Sequence, residues 1–345
     1  MKRVSLKDIA RIAGVSPSTV SFVLNGKAKQ MRISEALAGR IMEVAKKEGY
    51  QPNPVAVSLR TGKSQILGLI VENISGNFFA SLARTIEDEA ARYGYKVVYS
   101  STDNNHQKGK ELIGMLSQRQ VDGYIITPTP GMEQDIRELV NDNKPVVLMD
   151  SYFPGLDVPH VLVNNYEGVT RGMDHLFEKG YRRIGFVTVD LKLVQMEQRL
   201  NAYRDSLKKP GLDIDEELVL SFAYDYDREE AIERISQFIT TQKPEALFFT
   251  TNYLGLLGLE SIHRLGLKLP NDLAMIVFDD HDVFRLYPPG ITCIRQPVEE
   301  IAKTALELLM NQLGKPKQSD LGAKIEIPAG LVIRGTTEPV AKTSV

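Results

Sequence analysis

The apolar positions of this chain follow one period near its start and another beyond residue 63. Between residues 6 and 47 they recur as Ile9, Ala10 and Ala13, then Val20, Val23 and Leu24, then Leu37, Ile41, Val44 and Ala45. Intervals of three and four place each set on one face of a helix. Ser5 with Asp8 three residues on has the form of a capping box. Ser16-Pro17 begins a second helix, because serine caps and a proline at the first helical position forgoes a hydrogen bond that is not made there anyway. Gly14 lies between the two, where a tight turn needs positive φ, and Asn25-Gly26 closes the second helix. A third helix is predicted from about Ser34 to Lys47. Two short helices joined by a tight turn make a helix-turn-helix.

From Ser64 onward, short apolar runs alternate with amphipathic stretches. Strands are predicted at Ile66–Val71, Lys96–Ser100, Gly123–Thr127, Val146–Asp150, Ile184–Val189, Leu247–Thr250 and Ala274–Phe278. Helices are predicted between them, at Phe79–Tyr93, Lys108–Arg119, Gly168–Lys179, Val194–Lys208, Arg228–Thr240 and Leu254–Leu265. Such alternation implies parallel sheets covered on both faces. The series occurs twice, before and after about Asn165. The predicted fold is an N-terminal all-α helix-turn-helix head followed by a two-lobed α/β body.

Composition adds limits. The 345 residues, 43% apolar and 25% charged, suit a soluble globular protein of two or three domains. No opening stretch has the form of a secretory signal and no run of about 18 apolar residues occurs, so a cytoplasmic protein with no membrane partner is expected. The single Cys293 excludes an intramolecular disulfide and a cysteine-based zinc cage. Phosphate-loop, dinucleotide-binding and zinc-protease motifs do not occur, and the five histidines are scattered. No catalytic constellation, metal site or cofactor is therefore expected.

Charge is unevenly spread. Residues 1–62 hold eleven Lys and Arg against four Asp and Glu, a net of +7, whereas the remainder holds 31 against 40, a net of −9. A basic head on an acidic body points to a nucleic-acid contact confined to the head. In a helix-turn-helix the second helix enters the major groove. Pro17, Ser18 and Phe22 fall on its outward face, Thr19, Ser21 and Asn25 suit phosphate oxygens, and Lys27 and Lys29 add charge in the following loop.

The runs Val4–Ala10, Ala13–Ser16, Ser18–Ser21 and Leu24–Gly26, with Gly49–Asn53 and Ser58–Gly62 after them, resemble the start and hinge of a lactose-repressor (LacI/GalR) family regulator. The resemblance runs to about Thr337. It implies a DNA-binding domain over 1–50, a hinge over 51–62, and an effector-binding and dimerisation domain over 63–339. The latter resembles periplasmic sugar-binding proteins, with one lobe from about 63–164 and 292–323 and the other from 165–291 and 324–339, leaving a tail at 340–345. That tail has no apolar heptads, so no coiled-coil tetramerisation is expected. The cap residues Ser5 and Ser16 join the DNA-facing set, together with Asn53, Ala56 and Leu59 of the hinge. The resemblance makes Leu59 a wedge between central base pairs of the minor groove. One small head offers few phosphate contacts, so a homodimer on a palindromic duplex operator is expected, with the helices near Phe79–Tyr93 and Lys108–Arg119 and the opposite half as the expected pairing surface.

Ligands of open α/β sheets bind beyond the carboxyl ends of the strands. There lie Asn77-Phe78-Phe79, Asp150, Asn252-Tyr253 and Asp279-Asp280, with Arg199 in the helix after Ile184–Val189. The resemblance implies effector contacts at Phe78, Phe79, Asp150, Arg199, Asn252 and Asp279, and a sugar or sugar derivative as the effector. Asp225, Asp227 and Asp280 read as solvated loop acids. The chain departs from the family pattern at Phe22 and Val57, positions often basic, and at Asn164 and Tyr253, often Asp. Neither the operator sequence nor the effector therefore carries over. A transport binding protein and a sugar enzyme with a basic cap are the competing readings. The DNA-type head opposes the first, and the missing catalytic constellation opposes the second.

Overall fold

The computed structural model describes residues 4–51, 54–314 and 322–338, and the chain divides into two compact units, 1–64 and 65–345. The tail beyond 338 and Asn53 of the hinge lie outside the described residues, as does the Ala56 side chain.

In the first unit α1 (Leu6–Ala13), α2 (Pro17–Leu24) and α3 (Glu35–Lys47) pack around Ile9, Ala10, Ala13, Val20, Val23, Ile41 and Ala45, and α4 (Pro54–Thr61) follows. The starts of α1 and α2 are capped as the sequence predicts. The Ser5 Oγ accepts from the Asp8 N–H at 3.3 Å while the Ser5 N–H donates to the Asp8 carboxylate at 3.0 Å. Gly14 turns the chain at φ 66°. Arg40 of α3 donates from Nη2 to the Ala13 carbonyl at 2.7 Å. That carbonyl is one of the acceptors a helix end leaves without an intrahelical partner, so the contact ties α3 to α1.

The second unit begins with β1 (Ile66–Val71), α5 (Asn77–Arg92), β2 (Lys96–Ser101), α6 (His106–Gln118), β3 (Gly123–Ile126), α7 (Glu133–Asn141), β4 (Val146–Met149) and β5 (His160–Val163). It continues with α8 (Asn165–Glu178), β6 (Ile184–Val189), α9 (Val194–Lys208), β7 (Val219–Phe222), α10 (Arg228–Gln242), β8 (Ala246–Phe249), α11 (Asn252–Arg264), β9 (Ala274–Phe278) and α12 (Asp282–Leu286). The last part is β10 (Thr292–Arg295), α13 (Val298–Gly314), β11 (Lys324–Ile327) and β12 (Gly330–Val332). These strands form two six-stranded sheets, β11-β5-β4-β3-β1-β2 and β12-β10-β9-β8-β6-β7. Pairing is parallel except between β10 and β12. Strands β3, β4, β5, β6, β8 and β9 are buried along their whole length, as expected where helices cover both faces.

The lobe boundaries differ from those the sequence suggests. β10 lies between β9 and β12 in the second sheet, although the sequence places residues 292–323 in the first lobe. β11 pairs with β5 in the first sheet, although the sequence places 324–339 in the second lobe. Helix α13 packs on α5, β3, β4 and β5. The chain thus passes between lobes near Asn164, Gln296 and Pro328. An apolar run gives no sign of which of two like sheets it will join; backbone pairing decides that.

Candidate functional site

Between the lobes, at the carboxyl ends of the strands, lies a cavity of about 400 Å³. All six residues named for the effector line it: Phe78, Phe79, Asp150, Arg199, Asn252 and Asp279. The two sheets present equivalent positions here. Asp150 is the first residue after β4 and Asp279 the first after β9, and both hold the left-handed backbone, at φ 69° and 74°. Aspartate tolerates that conformation better than most side chains, at a cost of order 1 kcal/mol.

Arg199, 3% exposed, is held from three sides. Its Nε donates to Asn165 Oδ1 at 2.8 Å, its Nη1 donates to the Thr250 carbonyl at 2.6 Å, and its guanidinium lies 3.6 Å from the centroid of the Phe278 ring. Asn165, at the crossover after β5, is fixed in turn by donating from Nδ2 to the Val163 carbonyl at 3.0 Å. Nη2 has no acceptor among the described residues. Gln195, one turn before Arg199 on α9, donates to Asp150 at 3.3 Å, and Gln296 donates to Asp279 at 2.6 Å. Phe79, in the first turn of α5, lies inside the core while Phe78 is half-buried, with their rings 5.0 Å apart and edge to face.

Burial raises the carboxyl groups. Asp150 is pushed up to about 6 by desolvation and the nearby Asp279, against the pull of Arg199. Asp279 is raised by the same desolvation. Glu72, directly after β1, is pushed up to about 7 by burial and by the charge of Asp150. Burial lowers Arg199, and the two aspartates work against that loss.

Sequence reasoning missed Glu72, Gln195 and Gln296, and left Tyr224 and Tyr226 unassigned. All five line the cavity. Glu72 obeys the same strand-end rule that found Asp150, and Gln195 stands at i−4 from Arg199 on one helix face. Tyr224 and Gln296 follow β7 and β10, strands that the apolar pattern did not reveal. Of the three acids that read as solvated, one is otherwise engaged. Asp280 forms a two-pronged ion pair with Arg334, at 2.7 and 2.8 Å. Asp225 and Asp227 are both exposed, as expected, and Asp227 also caps α10 by accepting from the Glu230 N–H.

In the head, Pro17, Ser18, Asn25, Lys27 and Lys29 are exposed, whereas Thr19, Ser21 and Phe22 are half-buried. Ser16 is engaged as a cap, its Oγ accepting from the Thr19 N–H at 3.1 Å. Asn25 donates to the Ser21 carbonyl at 2.6 Å. Ser5 and Ser16 therefore hold helix starts, and any DNA contact they make adds to that role. Leu59 on α4 is 77% exposed, unusual for a leucine. Among the described residues no helix is long and apolar enough to cross a membrane.

Comparison with known proteins agrees with both parts. Residues 5–53 match the sequence pattern of bacterial regulatory proteins, lacI family, and residues 173–337 that of a periplasmic binding protein-like domain. Catabolite control protein A of Priestia megaterium is 30% identical over 337 residues, covering 97% of this chain and 99% of that one. A lac repressor dimer bound to operator and the anti-inducer ONPF matches with a TM-score of 0.83 at 22% identity, covering 97% and 99%, a likeness of fold. A periplasmic binding protein/LacI transcriptional regulator from Alkaliphilus metalliredigens QYMF, complexed with D-xylulofuranose, matches at 25% identity with a TM-score of 0.70, covering 79% and 98%.

Proposed function

This chain belongs to the lacI family of bacterial regulatory proteins, and from that premise we propose that a small sugar-like ligand in the cleft sets its grip on a palindromic DNA operator. It is a sequence-specific DNA-binding regulator of transcription. It acts as a homodimeric repressor on chromosomal DNA in the cytoplasm, and its cleft is a receptor with no catalytic step.

One observation carries the proposal. A single chain holds a capped helix-turn-helix and, in its other unit, a cavity lined from both lobes by polar strand-end groups. Carboxylates and amides accept hydroxyl protons, the guanidinium donates, and aromatic faces pack on C–H surfaces. A ligand touching Asp150 from one lobe and Arg199 and Asp279 from the other binds more tightly when the lobes take one mutual position. It shifts the protein toward that position only as far as its affinities for the two states differ. Linkage then requires that operator DNA change ligand affinity by the factor by which the ligand changes operator affinity. Paired heads add phosphate contacts and match the two-fold symmetry of an operator.

The test is selection of a preferred duplex from a random pool at moderate salt, then titration of that duplex with and without sugars that raise the protein's melting temperature. A reproducible duplex preference that one such sugar changes is expected. Absence of any preference would remove the proposal.

A further inference from the structure

The receptor reading leaves the charge of the ligand open, and the cavity lining bears on it. Three carboxyl groups, Glu72, Asp150 and Asp279, face the cavity against one cationic side chain, Arg199, among the described residues. Arg199 already gives two of its donor groups to Asn165 and Thr250. Among ionisable groups the surplus is therefore one of carboxyl over cationic side chains, although Asp150 and Asp279 already accept from Gln195 and Gln296.

Gln195 points the same way. It is 5% exposed, and its Nε2 donates to Asp150, which fixes the amide's orientation. Its Oε1 is buried at the cavity wall with no hydrogen-bond partner. A buried acceptor left unpaired is costly, so this one calls for a donor from a bound molecule. Tyr224, Tyr226 and Tyr253 line the same cavity, and aromatic faces attract cations. A metal ion does not meet these needs: among the described residues no three His, Cys, Asp or Glu are grouped to hold one.

Resting on the receptor reading, we propose that the effector carries a protonated amine on a polyhydroxylated frame, as in an amino sugar, and that Glu72, Asp150 and Gln195 receive the ammonium. An ammonium offers three donors and no acceptor, the complement of this surplus. Phosphorylated or carboxylated sugars would bring negative charge to a site already rich in it. Burial and Asp150 hold Glu72 at about 7, so at neutral pH it is partly protonated. An arriving cation draws that proton off, and binding releases protons to the buffer. A neutral sugar has no charge with which to do so.

The experiment uses the full chain. Glucosamine, galactosamine and mannosamine are each compared with the parent sugar, its N-acetyl derivative and its 6-phosphate, by thermal shift and by titration calorimetry. Calorimetry is run at pH 7 in phosphate and in MOPS, to read proton release. At least one free amine should bind about tenfold or more tighter than its parent and N-acetyl partners, with proton release. Glu72→Gln should shrink that advantage to about twofold or less while a cooperative melting transition and unchanged far-ultraviolet circular dichroism show the ligand-binding unit folded, and Asp150→Asn should act the same way. Parent, acetylated or phosphorylated sugars binding as tightly as the amines, or an amine advantage that survives both variants, overturns the proposal and leaves the receptor reading standing. Silence from every sugar in the panel counts against both.

Discussion

The Arg199 guanidinium lies 3.6 Å from the centroid of the Phe278 ring, and Phe278 is the residue before Asp279. The ring thus supports from below the same cation whose edges reach Asn165 and Thr250. Lysine keeps the charge but not the planar fork or the stacking face. Arg199→Lys is expected to weaken ligand binding by about tenfold or more and to lower stability by about 1–3 kcal/mol, since it leaves buried acceptors unpaired. Arg199→Ala should abolish the ligand response while operator affinity, which resides in the other unit, persists. Calorimetry and fluorescence anisotropy on operator DNA read the two effects separately. Unchanged ligand affinity in either variant would place Arg199 outside the site.

Asp280 and Arg334 form a stabilising pair that should be separable from ligand binding. Their side chains are 18% and 15% exposed, and Arg334 also donates to the Ile291 carbonyl at 2.8 Å. Asp280→Ala leaves a mostly buried guanidinium without its anion, at an expected cost of about 2 kcal/mol. Urea unfolding should show that loss while ligand affinity stays close to that of the unaltered protein. A large fall in affinity with little change in stability would mean that Asp280, not Asp279 alone, meets the ligand.

What the sequence disclosed follows from how local each determinant is. Ser5, Gly14 and Ser16 act within one turn of chain, so caps and turn in the head are legible and match the structure. β1, β6 and β9 are apolar runs bounded by polar turns, and their limits agree residue for residue with the predicted ones. Strand-end placement brought Asp150 and Asp279 into view. β5, β7, β10, β11 and β12 are runs of three or four residues whose strand character comes from neighbours far along the chain, as with Cys293 opposite Val332. Tyr224 and Gln296 went unassigned because they follow such strands. Gln195 depended on knowing that Asp150, 45 residues away, stands opposite it.

The buried acids give stability a pH dependence of definite sign. Asp150 is raised from 3.8 to about 6 and Glu72 from 4.5 to about 7, in each case first by desolvation. A carboxyl whose folded-state pKa lies above its unfolded one binds more protons in the native state. Its ionisation therefore costs stability as pH rises through the window from about 4 to about 7. Each group costs at most roughly 3 kcal/mol above that window. Arg199, Asp279, Tyr224 and Tyr253 face the same space, and Arg199 offsets part of the cost. Glu72→Gln or Asp150→Asn in the ligand-free protein should therefore raise the melting temperature more at pH 8 than at pH 5. Equal gains at both pH values would show that neither group titrates inside this window. Asp280 has the opposite sign: burial raises it, but the hydrogen bond and charge of Arg334 outweigh that and leave it lowered, so its contribution fades as pH falls below about 4.

Leu59 distinguishes specific from general DNA binding. It is 77% exposed on α4. An apolar wedge that unstacks a base step contributes only where the step yields and the bent duplex meets more protein. Phosphate neutralisation, by contrast, acts on any duplex and is set by groups such as Lys27 and Lys29. Leu59→Ala is expected to weaken binding to the selected operator by about tenfold or more and to leave binding to random duplex within about twofold, both read by anisotropy at one fixed salt concentration. Replacing Lys27 and Lys29 by alanine should instead weaken both duplexes alike and flatten the salt dependence by up to about one unit for each phosphate no longer neutralised. Equal losses on operator and random DNA for Leu59→Ala would reduce it to an ordinary exposed side chain, leaving operator choice to α2 alone.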